Sequence, residues 1–238
     1  FSYKPFEAIY EPVARLLRDC DLSFANLEFP VDDTAPWASY PLFNVHSDYP
    51  WAAITAGFNV FSLANNHSGD RGREGMRKTN QAMAALADRA RRELQRDITY
   101  NGLKPEPGDQ AWSMETIETR GMKVGFVALA EWVNEYHLTK WVQNFDCRED
   151  PKGESLLAWI AGVRPTVDIL VLSYHWGDEY SFLQTKGRAA FSQKLVDAGV
   201  DILWGNHPHV LQQWYLLDSP RGKALVMPSL GNFVSAQS

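Results

Sequence analysis

The sequence predicts an α/β fold, organised as one continuous domain over residues 1–238, and three observations support this. Segments with helical spacing alternate with short apolar runs along the whole chain, the signature of strands packed under helices. Glycine or proline bounds most of these segments, and no internal repeat or low-complexity linker divides them. Four of the predicted strands end in residues able to bind metal or transfer protons, and the carboxyl ends of strands are where open α/β sheets bind ligands.

In chain order, residues 7–18 carry Ile9, Val13, Leu16 and Leu17 at helical spacing. The run Leu22 to Leu27 then reads as a buried strand ending at Glu28. Ser47 is placed to cap a helix over 49–56, with Pro50 in its first turn and Gly57 at its end, and a strand over 59–64 follows. The alanine-rich segment from Thr79 to about Gln95 is helical, with Asp70 expected to cap its start, whereas 97–109 carries Pro, Gly and Asn and reads as loop. Segments 112–119 and 123–130 flank Arg120-Gly121-Met122 as a hairpin, and 134–153 is polar and loop-like. A helix over 154–161 leads to the strand 167–174, which ends at His175. A helix over 188–198, stopped by Gly199, leads to the strand 200–204. The last hairpin, 213–217 with 223–227, turns at Pro220-Arg221-Gly222.

Composition excludes several classes. Lys+Arg 23 against Asp+Glu 29 gives a net charge of −6, so broad electrostatic capture of nucleic acid is not expected. Any anion must be bound locally. Cys20 and Cys147 are the two cysteines, too few and too far apart for a disulfide framework or a thiolate metal site. No apolar run approaches the roughly 18 residues of a membrane span, and the opening Phe1-Ser2-Tyr3-Lys4 has no signal-segment character.

The chemistry collects at Asn26-Leu27-Glu28, Ala64-Asn65-Asn66-His67, His175-Trp176-Gly177 and Gly205-Asn206-His207-Pro208-His209. Divalent cations accept oxygen and imidazole nitrogen together, so Glu28, Asn66 through its amide oxygen, His175 and His207 form a sensible four-ligand set. His209 is placed to serve a second cation bridged by Glu28, and His67, one residue beyond a ligand, to act as general acid or to stabilise charge on a leaving oxygen. A metal-activated water is the expected nucleophile, with Mn, Fe or Zn as the expected metal and one or two ions per site. Glu131 and Glu179 are read as rim or supporting groups, Asn232 as a support beside the site, and His46 and His137 as histidines without ligand partners.

Five segments resemble the CapA-type capsule synthesis family, also called the poly-γ-glutamate biosynthesis accessory proteins. They are Asp21-Leu22-Ser23-Phe24-Ala25-Asn26-Leu27-Glu28, Gly57-Phe58-Asn59-Val60-Phe61-Ser62-Leu63-Ala64-Asn65-Asn66-His67, His175-Trp176-Gly177-Asp178-Glu179-Tyr180, Gly205-Asn206-His207-Pro208-His209 and Ser229-Leu230-Gly231-Asn232-Phe233. The family is similar in turn to calcineurin-like metallophosphoesterases. That resemblance implies a four-layer αββα sandwich with a two-metal site, His67 as proton donor and Glu28 as bridging carboxylate. One departure stands out: the family's first strand ends in Gly-Asp, and no such pair precedes residue 21. The expectation is a chain starting after that strand, with the His209 side of the site weakened for want of its aspartate.

Two functions remain open at this stage. One is a metal-dependent hydrolase acting on a phosphoester or on the γ-amide of poly-γ-glutamate. The other is a non-catalytic factor that holds an anionic polymer or a membrane synthase and export complex. The resemblance also implies an extracytoplasmic location, anchored through a segment outside this chain.

Overall fold

A computed structural model describes residues 6–107 and 111–235. The opening Phe1 to Lys4 and the end of the expected 97–109 loop, Gly108 and Asp109, lie outside the described residues. The fold is mixed α/β, with one parallel and one mixed sheet. The parallel sheet has three strands in the order β1-β2-β3, namely β1 (Phe24–Asn26), β2 (Val60–Ser62) and β3 (Thr99–Asn101). The mixed sheet has six, in the order β4-β5-β6-β7-β9-β8. These are β4 (Glu115–Thr119), β5 (Met122–Ala130), β6 (Ile169–His175), β7 (Ile202–Asn206), β8 (Tyr215–Ser219) and β9 (Gly222–Met227). Neighbours β5, β6, β7 and β9 run parallel, while β4 and β8 close the edges as antiparallel hairpin partners.

Side-chain alternation along the strands separates the core into layers. Phe24 of β1 and Val60 of β2 pack with Phe126, Ala128, Val171 and Trp204 of the larger sheet, so the two sheets meet face to face. Phe61 and Leu63 point the other way, onto Tyr10, Ile54, Met83 and Leu86 of the helices α1 (Glu7–Arg18), α2 (Asp48–Ala56) and α3 (Gly72–Leu94). Val127, Leu129, Leu170, Leu172 and Leu203 face Leu156, Ile160, Phe191 and Leu195 of α4 (Glu154–Val163) and α5 (Lys186–Ala198). Burial is continuous along most of β5, β6 and β7 because both of their faces are covered, which is why these segments read as near-continuous apolar runs.

Four local expectations are corrected. The stripe on α1 is only partly used, because α1 packs on its neighbours through Tyr10, Ala14 and Leu17 and leaves Ile9 and Leu16 exposed. Ser47 does not cap α2 with its side chain; its N–H and hydroxyl both donate to the Asp33 carboxylate, at 2.7 Å each. Asp70 does not cap α3, which begins at Gly72, and its carboxylate is used elsewhere. The segment expected as loop after residue 97 contains β3, paired in parallel with β2. Three residues are too few to show a strand period, and the strand exists because β2 offers it a free edge. At its end Gly102 has φ +125°, and a Cβ there would stand 2.5 Å from the Ala64 amide nitrogen, so glycine lets the chain leave the sheet beside the segment that leads to Asn66 and His67.

A candidate metal centre at the strand ends

The parallel strands of both sheets deliver their carboxyl ends to one place. Asn26 pairs with Ser62 and His175 with Asn206, so the residues that follow emerge side by side from each sheet. Leu27 and Asn65 are tied together across the first pair, Asn65 Nδ2 donating to the Leu27 carbonyl at 2.9 Å. A 3₁₀ turn over Asn66–Gly69 then aims Asn66 and His67 inward. Within it the Ser68 hydroxyl accepts the Asn65 N–H at 3.0 Å and donates to the Leu63 carbonyl at 2.7 Å.

On the other side, Gly205 lets β7 pass against the chain at Pro228: a Cβ there would sit 1.8 Å from that carbonyl oxygen. His207 and His209 follow in backbone conformations with φ 98° and 60°, a region costly for side chains with a Cβ. Such strain persists where the surroundings hold it in place, and it concentrates at functional sites.

Four of the expected ligands converge. His175 Nε2 lies 2.9 Å from Asn66 Oδ1 and 3.8 Å from Glu28 Oε1. One ligand atom each from Glu28, His175 and His207 falls within 4.8 Å of the others. A cation with bonds of about 2.1 Å spaces tetrahedral ligands about 3.4 Å apart, so small side-chain adjustments close the set. The donor chemistry fits a divalent ion. The Asn66 amide donates through Nδ2 to Asn134 Oδ1 at 3.3 Å, turning its oxygen toward His175, and Asn26 fixes the other Glu28 oxygen at 2.8 Å. Nδ1 of His175 and of His207 is buried and has no hydrogen-bond partner among the described residues, whereas buried polar atoms are otherwise almost always satisfied.

Electrostatics favour the ligating protonation state of the histidines. Complete burial holds His175 well below the ordinary imidazole range, and the neighbouring His207, His209 and His67 push it the same way. His207 is lowered to about 4, chiefly by burial and then by His209 and His67. Neutral imidazole is the form that binds metal. Burial raises the Glu28 carboxyl, against the opposing pull of His209 and His67.

His67 stands apart from the converging Glu28, His175 and His207. Its Nδ1 is 2.8 Å from Asp70 Oδ2, which also accepts the Phe43 N–H at 2.9 Å, and the Phe43 ring packs edge-on against the imidazole at 4.6 Å. This leaves Nε2 as the nitrogen that can exchange a proton. Asp70, assigned from the sequence to a helix cap, is thus the partner of His67 instead. The only available signal was its spacing three residues after His67, which both roles share.

Glu131, read from the sequence as a rim or supporting group, takes the supporting place, its side chain fully buried. It accepts the Gly177 N–H at 3.2 Å and Arg188 Nη2 at 2.9 Å, and so clamps the turn after His175. Asn232 lies beside the site as anticipated, its Oδ1 2.8 Å from His209 Nδ1. Asn134 and Trp132, the latter edge-on to His207 at 4.6 Å, carried no sequence signal. His46 is occupied by the Ala35 carbonyl at 2.8 Å and His137 lies exposed beside Glu135, so neither joins the site.

The family model described as bacterial capsule synthesis protein PGA_cap matches residues 2–237. The chain belongs to this family. It is 28% identical to the capsule biosynthesis protein CapA of Bacillus anthracis, over 96% of this chain and 54% of that protein. It is also 28% identical to the PGA biosynthesis protein CapA of Bacillus subtilis (strain 168), over 98% of this chain and 58% of that protein. A probable polyglutamine synthesis accessory protein of Mycobacterium tuberculosis (strain ATCC 25618 / H37Rv) is 26% identical, over 79% of this chain and 50% of that protein. The chain thus spans about half the length of the curated relatives it matches. A crystal structure of a hypothetical protein from Thermus thermophilus shares the fold, with TM-score 0.52 and 16% identity over 96% of this chain and 72% of that one. Among the described residues no helix is long and apolar enough to cross a membrane.

Proposed function

We propose that this member of the capsule synthesis family is a metal-dependent hydrolase whose layers form a calcineurin-like αββα sandwich. Its substrate would be a phosphoester or γ-amide bond in an anionic capsule polymer or its precursor. The observation that carries this reading is the convergence of Glu28, Asn66, His175 and His207 beside a histidine already oriented by a buried carboxylate.

Glu28, Asn66, His175 and His207 would hold a divalent ion, with Mn, Fe or Zn suited to the mixed oxygen and nitrogen donors. When bound, the ion supplies Lewis-acid polarisation and lowers the pKa of a water toward about 7. The protein's own residues do the rest. Asp70 accepts from His67 Nδ1 and stabilises the imidazolium, so that Nε2 delivers a proton to the leaving oxygen or nitrogen. Asn134 holds the Asn66 amide in its ligating orientation, and Phe43 and Trp132 wall the two histidines they touch away from solvent.

A second reading, polymer holding without turnover as part of a membrane synthase or export complex, is favoured by one observation. Tyr180, Phe182, Leu183, Leu211 and Trp214 each expose large apolar side chains, on two segments joined where Gln212 Nε2 donates to the Ser181 carbonyl at 2.8 Å, and exposed apolar groups of this kind are what partner surfaces use. The names of the relatives support work outside the cytoplasm, where capsule is built.

The test is turnover of a generic phosphodiester and of poly-γ-glutamate by metal-loaded protein. Hydrolysis of either that is lost in His67→Ala and Glu28→Ala supports the hydrolase. Bound metal with no turnover of either bond class moves the assignment to the holding role.

A further inference from the structure

The chain between Val31 and Val45 folds back on itself, and the tip of this loop, residues 39–43, rests beside His67. Ala38 and Asn44 pair at its base. The buried Asn44 Nδ2 stands 3.0 to 3.3 Å from the carbonyl oxygens of Asp32, Ala35 and Pro36, so the base is well held. The tip has less to hold it, with Tyr40 78% and Leu42 45% exposed. Among the described residues its hydrogen bonds to the rest of the chain run to two consecutive residues, Asp70 and Arg71. The Phe43 N–H donates to Asp70 Oδ2 at 2.9 Å, while Arg71 donates from Nε to the Phe43 carbonyl at 3.1 Å and from Nη2 to the Leu42 carbonyl at 2.8 Å.

Arg71 is committed to this task. Among the described residues no carboxylate lies within ion-pair distance of it, whereas Arg73, Arg77, Arg89 and Arg91 of α3 each have one. Its charge is directed at two backbone carbonyls of the tip, and hydrogen bonds from an ionised donor are the stronger kind. The first turn of α3 is cut to fit it: a Cβ on Gly75 would stand 2.2 Å from Arg71 Cβ. Glycine inside a helix costs stability, and the room it leaves for Arg71 accounts for it here.

The tip matters to His67 through Asp70. Asp70 Oδ2 takes both His67 Nδ1 and the Phe43 N–H, and its Oδ1 is buried with no partner among the described residues. If the tip lifts, the carboxylate loses its second anchor and the imidazole loses the Phe43 ring at the same moment.

We propose that Arg71 is a positioning residue for the proton donor: it holds the 39–43 tip down so that Phe43 keeps Asp70 and His67 aligned. It acts through Phe43 and touches no reacting atom. This rests on the reading of His67 as general acid given above and adds the residue that keeps the pair assembled.

The experiment compares the whole native protein with Arg71→Met and Arg71→Lys. In the metal-free proteins, amide hydrogen exchange reads the tip independently of activity. Exchange at Phe43 should be about 10-fold faster in Arg71→Met and partly restored in Arg71→Lys, with the amides of α3 and β2 unchanged. Unchanged exchange at Phe43 would overturn the proposal. Manganese-loaded protein is then given two phosphodiesters, one releasing p-nitrophenolate and one releasing a simple alcohol. The phenolate leaves with little help from an acid, whereas the alkoxide needs a proton. In Arg71→Met, kcat should fall about 10-fold on the alkyl ester and about 2-fold on the p-nitrophenyl ester, with KM unaltered and Arg71→Lys between the two. An equal fall on both esters would mean general damage and overturn the positioning role. Adding Arg71→Met to His67→Ala should cost nothing further on the alkyl ester, and a further fall of about 10-fold would also overturn it. No turnover of either ester by the native protein would sink the hydrolase reading and the catalytic part of this one with it, while the exchange result would still show whether Arg71 holds the tip.

Discussion

Replacing Glu131 by alanine removes the carboxylate that neutralises Arg188 inside the protein, and its consequence can be worked from the contacts. The Glu131 side chain is fully buried and that of Arg188 is 5% exposed, with Nη2 to Oε2 at 2.9 Å and Nε to Oε1 at 3.4 Å. The same carboxylate accepts the Gly177 N–H at 3.2 Å and stands 3.4 Å from Arg148 Nε. Breaking a buried pair from one side typically costs about 3–5 kcal/mol, because the remaining charge stays desolvated. Asp178, 3.0 Å from Arg188 Nη1 and more than half exposed, retains part of the compensation, which places the expected loss near the lower end, about 3 kcal/mol. For a chain of this size that corresponds to a fall in Tm of about 6–12 °C. The assay is urea unfolding of metal-free Glu131→Ala, alongside the double variant Glu131→Leu with Arg188→Met. Removing both charges and filling the space should restore most of the loss, since replacing a buried pair with apolar groups is often neutral. If the single variant loses less than about 1 kcal/mol, or the double variant is worse than the single, the clamp has been misread.

The buried histidines make metal-free stability depend on pH. His207, lowered to about 4 from an unfolded value of 6.5, binds its proton more readily when unfolded. Its contribution is complete above pH 6.5 and is lost as pH falls toward 4, about 3 kcal/mol over that window. The raised Glu28 carboxyl has the opposite sign, its contribution being lost as pH rises through its folded value. Urea unfolding in chelator from pH 4 to 7 should therefore show a shallower slope in His207→Asn than in the native protein, and equal slopes would refute the burial argument. Asp70→Asn keeps the size of the side chain but removes the charge facing His67. Its kcat should fall about 100-fold with metal content and KM unchanged, and an unaltered kcat with an inactive His67→Ala would make Asp70 purely structural.

The reading of the fold from sequence succeeded where a local signal was strong. Helices α1, α2, α4 and α5 and the core strands β5, β6 and β7 lie within a few residues of their expected positions, because helical spacing and apolar runs report burial directly. It failed at β3, whose three residues are a strand only through β2, and at Ser47 and Asp70. Those two residues had local capping chemistry available, but their groups were taken by partners elsewhere in the fold. Both Asp33 and Phe43, which claimed them, lie more than ten residues away in sequence.

By itself the sequence determined which residue types stand at the ends of the parallel strands, and with them the family and the proposed ligands Glu28, Asn66, His175, His207 and His209. A strand followed by a turn places its last residues at the sheet edge whatever the rest of the chain does. Only the tertiary structure decided which of those ends meet: Asn66 and His175, 109 residues apart, lie 2.9 Å from each other because the two sheets stack with their carboxyl ends together. It alone brought the Phe43 N–H onto Asp70, buried Glu131 beneath the His175 turn and set Glu179 near His209. The physical reason is range. Periodicity and capping act over a few residues, whereas orienting a general acid, a clamp or a metal ligand depends on which surfaces are pressed together when the layers pack.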